Sequence, residues 1–212
     1  MKDNVPHRWG GLAARYKKNR VAIRFVDPLT GFAQEFGRDE WAERWLQHRY
    51  DPSVLTLRVG DDALAREIEG VINKSKVHLD ITYRTGARVL ELVSKKVVSA
   101  GIQRKLNALA AANGATGVVR YRDDIRQEGA LIANLRQLRQ NMQQQRSARH
   151  DEALLSSIKH GRHATRGEFL AANPRTDNYI DAFLGFKHCE GVLTLDLKGG
   201  RYGNQTRISL SA

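Results

Sequence analysis

Between Lys76 and Lys96 the chain reads KVHLDITYRTGARVLELVSKK and carries Asp80, Glu91 and Lys95. Carboxylates are the ordinary ligands of Mg²⁺, and a lysine beside them orients an attacking water or takes up charge on a phosphate. The trio therefore suits metal-dependent phosphodiester hydrolysis, provided the three side chains converge. Val77, Leu79, Ile81 and Tyr83 alternate with His78, Asp80, Thr82 and Arg84, the period of a half-buried strand. Arg84-Thr85-Gly86 supplies a turn, with Gly86 free to take positive φ. The return strand VLELV then carries Glu91, Val93 and Lys95 on one face, since side chains alternate. Convergence requires Asp80 to share that face. The plain alternative is a polar sheet face in water.

The surrounding elements set what can hold this hairpin. VAIRFVD (Val21–Asp27) reads as a strand and Pro28 to Gly31 as its turn. In the next block Trp41, Trp45 and Leu46 follow helical spacing, with Asp39 as N-cap and Asp51-Pro52 as the stop. Glu40 and Glu43 lie near the start of that helix. A helix that turns one glutamate toward a following hairpin can complete a carboxylate metal site, although acidic residues are also ordinary in a first turn. VLTLRV is a strand, and Leu64 to Ile72 is read as another, because the strand from Lys76 must pair with something. Ala100 to Ala112 is an amphipathic helix closed by Asn113-Gly114, GVVRY is a strand, and a turn and helix with Leu131, Leu135 and Leu138 follow. The alternation makes residues 1–142 an α/β domain.

QQQRSARHDE is polar and reads as a linker. Residues 151–212 differ in pattern: a helix ended by Gly161, a second capped by Thr165 and stopped by Asn173-Pro174, and a third begun by Asp177 or Asn178. The hairpin VLTLDL–KGGRYGN–TRISL follows. Three short helices and a hairpin are the layout of a winged helix, whose third helix often enters a DNA groove. Many such domains bind protein instead.

The 212 residues carry a formal net charge of +12, which points to a polyanion, nucleic acid first. The basic stretch up to Arg20 reads as a disordered arm or a backbone contact. No apolar run approaches a membrane span, and the first residues lack the apolar core of a signal peptide. The single cysteine, Cys189, fits a reducing cytoplasm. No Cys/His cluster has zinc spacing, so the seven histidines read as packing or surface residues.

Together, EWAERWLQHRYDPSVLTLRV (Glu40–Val59), HLDITYRTG leading into LELVSKK, IRQEGALIANLRQL (Ile125–Leu138) and EGVLTLDLKGGRYGNQTRISL (Glu190–Leu210) resemble the TnsA-type endonuclease subunit of heteromeric cut-and-paste transposases. The resemblance runs roughly from Val21 to Leu210 and rests on motif order and spacing. It implies a restriction-endonuclease-like nuclease domain followed by a C-terminal winged helix that docks partners or DNA. It implies Mg²⁺-dependent 5′-side cuts at double-stranded transposon ends, with a DDE transposase subunit and an AAA+ ATPase regulator as partners, and no membrane.

Carried over by residue, Asp80 matches the central metal-binding aspartate, although alignment on the TYRTG turn puts His78 there. Leu79 stands where a proline commonly precedes that aspartate. Glu40 matches the helix glutamate, with Glu43 as competitor, and Glu91 the second metal position. The lysine that follows by two residues is Val93 here; Lys95 is two further on. Either Lys95 reaches back, a bulge realigns the strand, or the site is lost. In the last case the chain is a non-catalytic DNA-binding or assembly subunit. In the active reading Asp80, Glu40 and Glu91 hold Mg²⁺ and Lys95 positions the water, while Arg84, Arg88, Arg104, Lys105 and Arg120 line a DNA path.

Overall fold

The computed structural model describes residues 23–36, 39–59, 78–142, 148–161, 163–173 and 177–211. The basic arm before Arg20 and the strand expected at Leu64–Ile72 lie outside the described residues. β1 (Ile23–Val26) and β2 (Ala33–Phe36) form a small antiparallel pair joined by a turn that puts Gly31 at φ 72°. Helix α1 (Asp39–Arg49) buries Trp41, Trp45 and Leu46 as their spacing requires. Phe25, Phe36 and Trp45 meet with ring centroids about 6 Å apart, which fixes the β1–β2 pair on the outer side of α1.

The central layer is a mixed sheet in the order β3-β4-β5-β6. Its strands are Val54–Val59, His78–Tyr83, Arg88–Ser94 and Thr116–Tyr121. β3, β4 and β5 are antiparallel neighbours, and β6 runs parallel to β5. The partner that β4 needs is thus β3, the VLTLRV strand. The parallel step requires a crossover, supplied by α2 (Ala100–Ala112). Ser99 Oγ caps α2 by accepting from the Ile102 amide at 3.3 Å. α2 lies so close to β6 that a Cβ on Gly117 would meet Asn107 Oδ1 at 2.9 Å.

The two sheet faces have different cores. Leu90 and Leu92 pack with Leu106 and Ala110 of α2. Leu79, Ile81 and Val93 pack on the other side with α1 and everything that follows β6. There α3 (Arg122–Gln127) and α4 (Gly129–Asn141) come first. Then come α5 (Ala148–His160), α6 (Arg166–Ala172), α7 (Asp177–Cys189) and the pair β7 (Leu193–Leu195) and β8 (Ile208–Leu210). The described residues thus form an α/β fold with a mixed four-stranded sheet and seven helices. No helix among them is long and apolar enough to cross a membrane.

Thr165 caps α6 as expected, in a capping box with Glu168. It also bridges to Arg207, so the segment before α6 extends the β7–β8 hairpin. The linker expectation is corrected in part, because α5 already begins at Ala148. In the third helix, α7, residues 180–185 are all buried, Ile180, Phe183 and Leu184 fully so. The helix packs against α4 at Gly185, where a Cβ would come within 2.7 Å of Met142 Sδ. Asn134 of α4 donates to the Leu197 and Gly200 carbonyls at 2.9 and 2.6 Å and accepts from the Tyr202 amide at 2.8 Å. Arg84, in the β4–β5 turn, donates to the Glu190 carbonyl at 2.6 Å. One hydrophobic core therefore runs from Trp41 and Leu79 through Leu138 to Phe183 and Leu193.

Candidate functional site

Register decides whether the carboxylates of the central hairpin meet. A two-residue turn on Thr85-Gly86 would set Asp80 opposite Glu91. The observed connection is one residue longer. The Tyr83 amide donates to the Ala87 carbonyl at 2.8 Å across Arg84-Thr85-Gly86, with Gly86 at φ 86°. The extra residue shifts the pairing by one, so Asp80 faces Leu90 and Leu79 faces Glu91. Opposed residues share a face and neighbours along a strand do not, so Asp80 and Glu91 lie on opposite faces of the sheet. The convergence expected of them is overturned. Lys95 does not join either: β5 ends at Ser94, whose Oγ donates to the Lys96 carbonyl at 2.7 Å, and Lys95 is exposed beyond that bend.

Asp80, on the α2 side, is 6% exposed. Arg88 grips both its oxygens, at 2.8 and 2.7 Å, and also donates to the Asn113 carbonyl at the end of α2 at 3.1 Å. The Asp80 hydrogen bond pushes the Arg88 guanidinium above its ordinary pKa. His78, the other candidate for the aspartate position, stands opposite Leu92 in the register.

Glu91, on the α1 side, is 2% exposed. Helical spacing brings Arg44 and His48 onto one stripe of α1 above it. Arg44 Nε and Nη2 donate to its two oxygens at 2.6 and 2.8 Å, and His48 Nε2 lies 3.3 Å from Oε2. Arg120 of β6 approaches from the half-exposed edge at 3.8 Å. Burial alone would raise the Glu91 pKa, but the hydrogen bonds from Arg44 and His48 outweigh it and hold the carboxyl at about 2. Arg44 is fixed in turn: its Nη1 donates to Gln47 Oε1 at 2.9 Å, and Gln47 Nε2 donates to Glu128 at 3.2 Å.

Glu40 is buried one helical turn before Arg44. Glu43 turns instead to α4, where Arg136 donates to it at 2.7 Å, and burial raises its pKa. Val93, where the family lysine would stand, is buried in the apolar core. The sequence does not single out Arg44, Gln47 and His48: their spacing puts them on one stripe of α1 but does not say what that stripe faces. Of the expected DNA-path residues, Arg88 holds Asp80 and Arg84 holds the Pro52 and Glu190 carbonyls. Arg104 and Lys105 are exposed on α2.

Both oxygens of each hairpin carboxylate thus accept from a guanidinium fork, the geometry of strong charged pairs. Mg²⁺ would have to displace a guanidinium at either one, and no second carboxylate stands across the hairpin on the same face. Among the described residues no group of three or more His, Cys, Asp or Glu is placed to hold a metal. No protein-family model and no curated protein matches the chain.

Proposed function

We propose that the chain is a non-catalytic DNA-binding and assembly subunit of a DNA-transposition complex, built on a restriction-endonuclease-like frame. The register that separates Asp80 from Glu91, each closed by an arginine fork, carries this reading. The carboxylates as they stand, each closed by a guanidinium, do not fit Mg²⁺. The order helix, three antiparallel strands, helix, parallel strand is compatible with the proposed frame. Three helices and a hairpin extended at Thr165 and Arg207 are compatible with a winged helix. With α7 buried, that part serves to dock a partner protein better than to read a groove. The charge of +12 supports binding to the double-stranded transposon ends, with affinity that falls as salt rises. A DDE transposase subunit and an AAA+ ATPase regulator are the partners this reading supplies.

The second reading is the Mg²⁺-dependent endonuclease itself. It is favoured by Glu40, buried on the same side of α1 as the residues that reach Glu91. The full set of proteins and transposon-end DNA in Mg²⁺ separates the two. For an assembly subunit, omitting the chain lowers 3′-end joining, while wild type and Asp80→Ala give the same products with no 5′-side cuts. Mapped 5′-side cuts that vanish in Asp80→Ala or Glu91→Ala, with joining intact, overturn it in favour of the nuclease.

A further inference from the structure

From Leu92 to Arg122 the chain carries six cations, at Lys95, Lys96, Arg104, Lys105, Arg120 and Arg122, and no acidic residue. The fold sorts these cations by side of the sheet. The stretch leaves the end of β5, crosses over as α2 and returns as β6. α2 buries Leu106 and Ala110 against Leu90 and Leu92. At 3.6 residues per turn the opposite side of the helix is centred on Ala108, with Arg104 and Lys105 to either side of it. Both are exposed, and their neighbours on that side, Ala100, Ala111 and Ala112, are too short to cover them. Lys95 and Lys96 come from the bend between β5 and α2 and are exposed as well. Arg104 lies only about 6 Å along the axis from the start of α2, at about 1.5 Å per residue. Four cations thus gather toward one end of this side.

None of the four side chains has an ion pair or a hydrogen bond among the described residues. Arg136 and Lys187, by contrast, are held by Glu43 and Glu190. Asp80 is on the same side of the sheet, but it is 6% exposed and closed by Arg88, so it does not neutralise the four. Arg120 and Arg122 stay apart from them. Arg120 shares the other side with Val93 and approaches Glu91, and Arg122 is half-buried and followed by Asp123 and Asp124. Like charges close together repel, and an anionic surface laid over them removes the repulsion. The cations stand on a convex helix and the bend before it, with no pocket to enclose a small anion. The exposed large apolar side chain beside them is Val97, and a single such side chain is ordinary on a surface and makes no lipid- or protein-binding patch. An extended polyanion meets this arrangement, and a DNA duplex presents about one phosphate charge per 1.7 Å of its axis.

We propose that the outer side of α2 is the surface that lies along a DNA duplex, with Lys95, Lys96, Arg104 and Lys105 on phosphates. The inference rests on the DNA-binding reading above and adds the face, which is across the sheet from Glu91 and from α7. Contacts of this kind position the duplex without reading its sequence. Fluorescence anisotropy of two labelled duplexes of unrelated sequence, titrated with the full chain over a series of salt concentrations, tests it. Each phosphate contact steepens the log–log fall of affinity with salt by about 0.9. Arg104→Gln with Lys105→Gln is expected to weaken both duplexes alike, by about tenfold or more, and to flatten the slope by about 2. Lys95→Gln with Lys96→Gln is expected to do the same, so the outcome does not hang on one variant. Arg24→Gln with Lys159→Gln removes the same net charge from β1 and α5 and is expected to leave the slope nearly unchanged. If the variants on α2 and its bend behave like that control while the wild type binds, the face is wrong and the DNA-binding reading stands. If the wild type binds neither duplex, both fail, and capture by phosphatidylserine vesicles in their place would assign the face to a membrane surface. An effect on one duplex alone also overturns the proposal, because a phosphate contact is blind to sequence.

Discussion

Glu91 is the residue on which two opposing effects can be weighed. Burial at 2% exposure penalises its charge, and Arg44, His48 and Arg120 around it reward the charge more. The folded-state pKa of about 2 lies below the ordinary 4.5, so the group binds fewer protons folded than unfolded near pH 3. Its contribution to stability is therefore complete above about pH 4.5 and is lost as the pH falls toward 2. By linkage that contribution is about 3 kcal/mol. Glu91→Gln removes it and leaves the largely shielded Arg44 without its counter-charge, a change that costs up to roughly 3–5 kcal/mol, the figure for fully buried pairs. Urea unfolding at a series of pH values checks both parts. The variant is expected to be less stable at pH 7, and its profile between pH 4.5 and 2 flatter than that of the wild type. Parallel profiles would mean that the Arg44 fork does not hold this carboxyl ionised.

At the scale of elements, the hairpin separates what the sequence reveals from what it hides. The alternation of Leu79, Ile81 and Tyr83, the turn at Gly86 and the strand through Glu91 were legible, because side-chain period and turn chemistry are local. The same holds for the Thr165 cap, for Gly31, and for the helix spacing of Trp41 and Trp45. Which face Asp80 takes was not legible, because it depends on whether the connection counts two residues or three. That parity is set by the closure of Tyr83 on Ala87, together with the pairing of β4 with β3. Arg44 and His48 were hidden for a related reason: two polar residues one turn apart on a helix face water or a buried carboxylate according to tertiary packing alone. The turn makes a test of its own. Gly86 sits at φ 86°, where a side chain is strained although nothing lies within 4 Å of its Cβ position. Gly86→Ala is therefore expected to cost about 1 kcal/mol through backbone strain alone. It should lower the thermal midpoint while leaving the far-ultraviolet dichroism unchanged. No loss of stability would mean that the turn relaxes into a different geometry and that the register it sets is not fixed.

The whole molecule depends on the α4–α7 seam. The sequence divides at the polar stretch after Met142, yet the apolar contacts do not divide there: Leu138 and Met142 are buried against α7, and Asn134 holds the loop that follows β7. Beneath the seam Asp181 of α7 accepts from Arg166 at 2.6 Å, from Tyr202 at 2.6 Å and from Asn141 of α4 at 2.8 Å. A buried carboxylate with partners from both sides locks one orientation, since a slip of either helix would strand its charge. Two parts that share such a core unfold together, whereas two independent domains would separate. Gly185 is the position that tests this. Any side chain there meets Met142 Sδ at 2.7 Å and Leu138 Cδ1 at 3.1 Å, so Gly185→Val must displace the Met142 and Leu138 side chains or part α7 from α4. Overpacking of this kind typically costs about 1–3 kcal/mol. The expected result is a single unfolding transition, with the fluorescence of Trp41 and Trp45, read in a chain whose third tryptophan is replaced (Trp9→Phe), coinciding with far-ultraviolet dichroism with and without Gly185→Val, and both midpoints displaced together by Gly185→Val. If the tryptophan signal keeps its wild-type midpoint while part of the helical signal is lost earlier, residues 1–142 hold their fold without α7. The seam would then be a docking contact between two domains instead of part of one core.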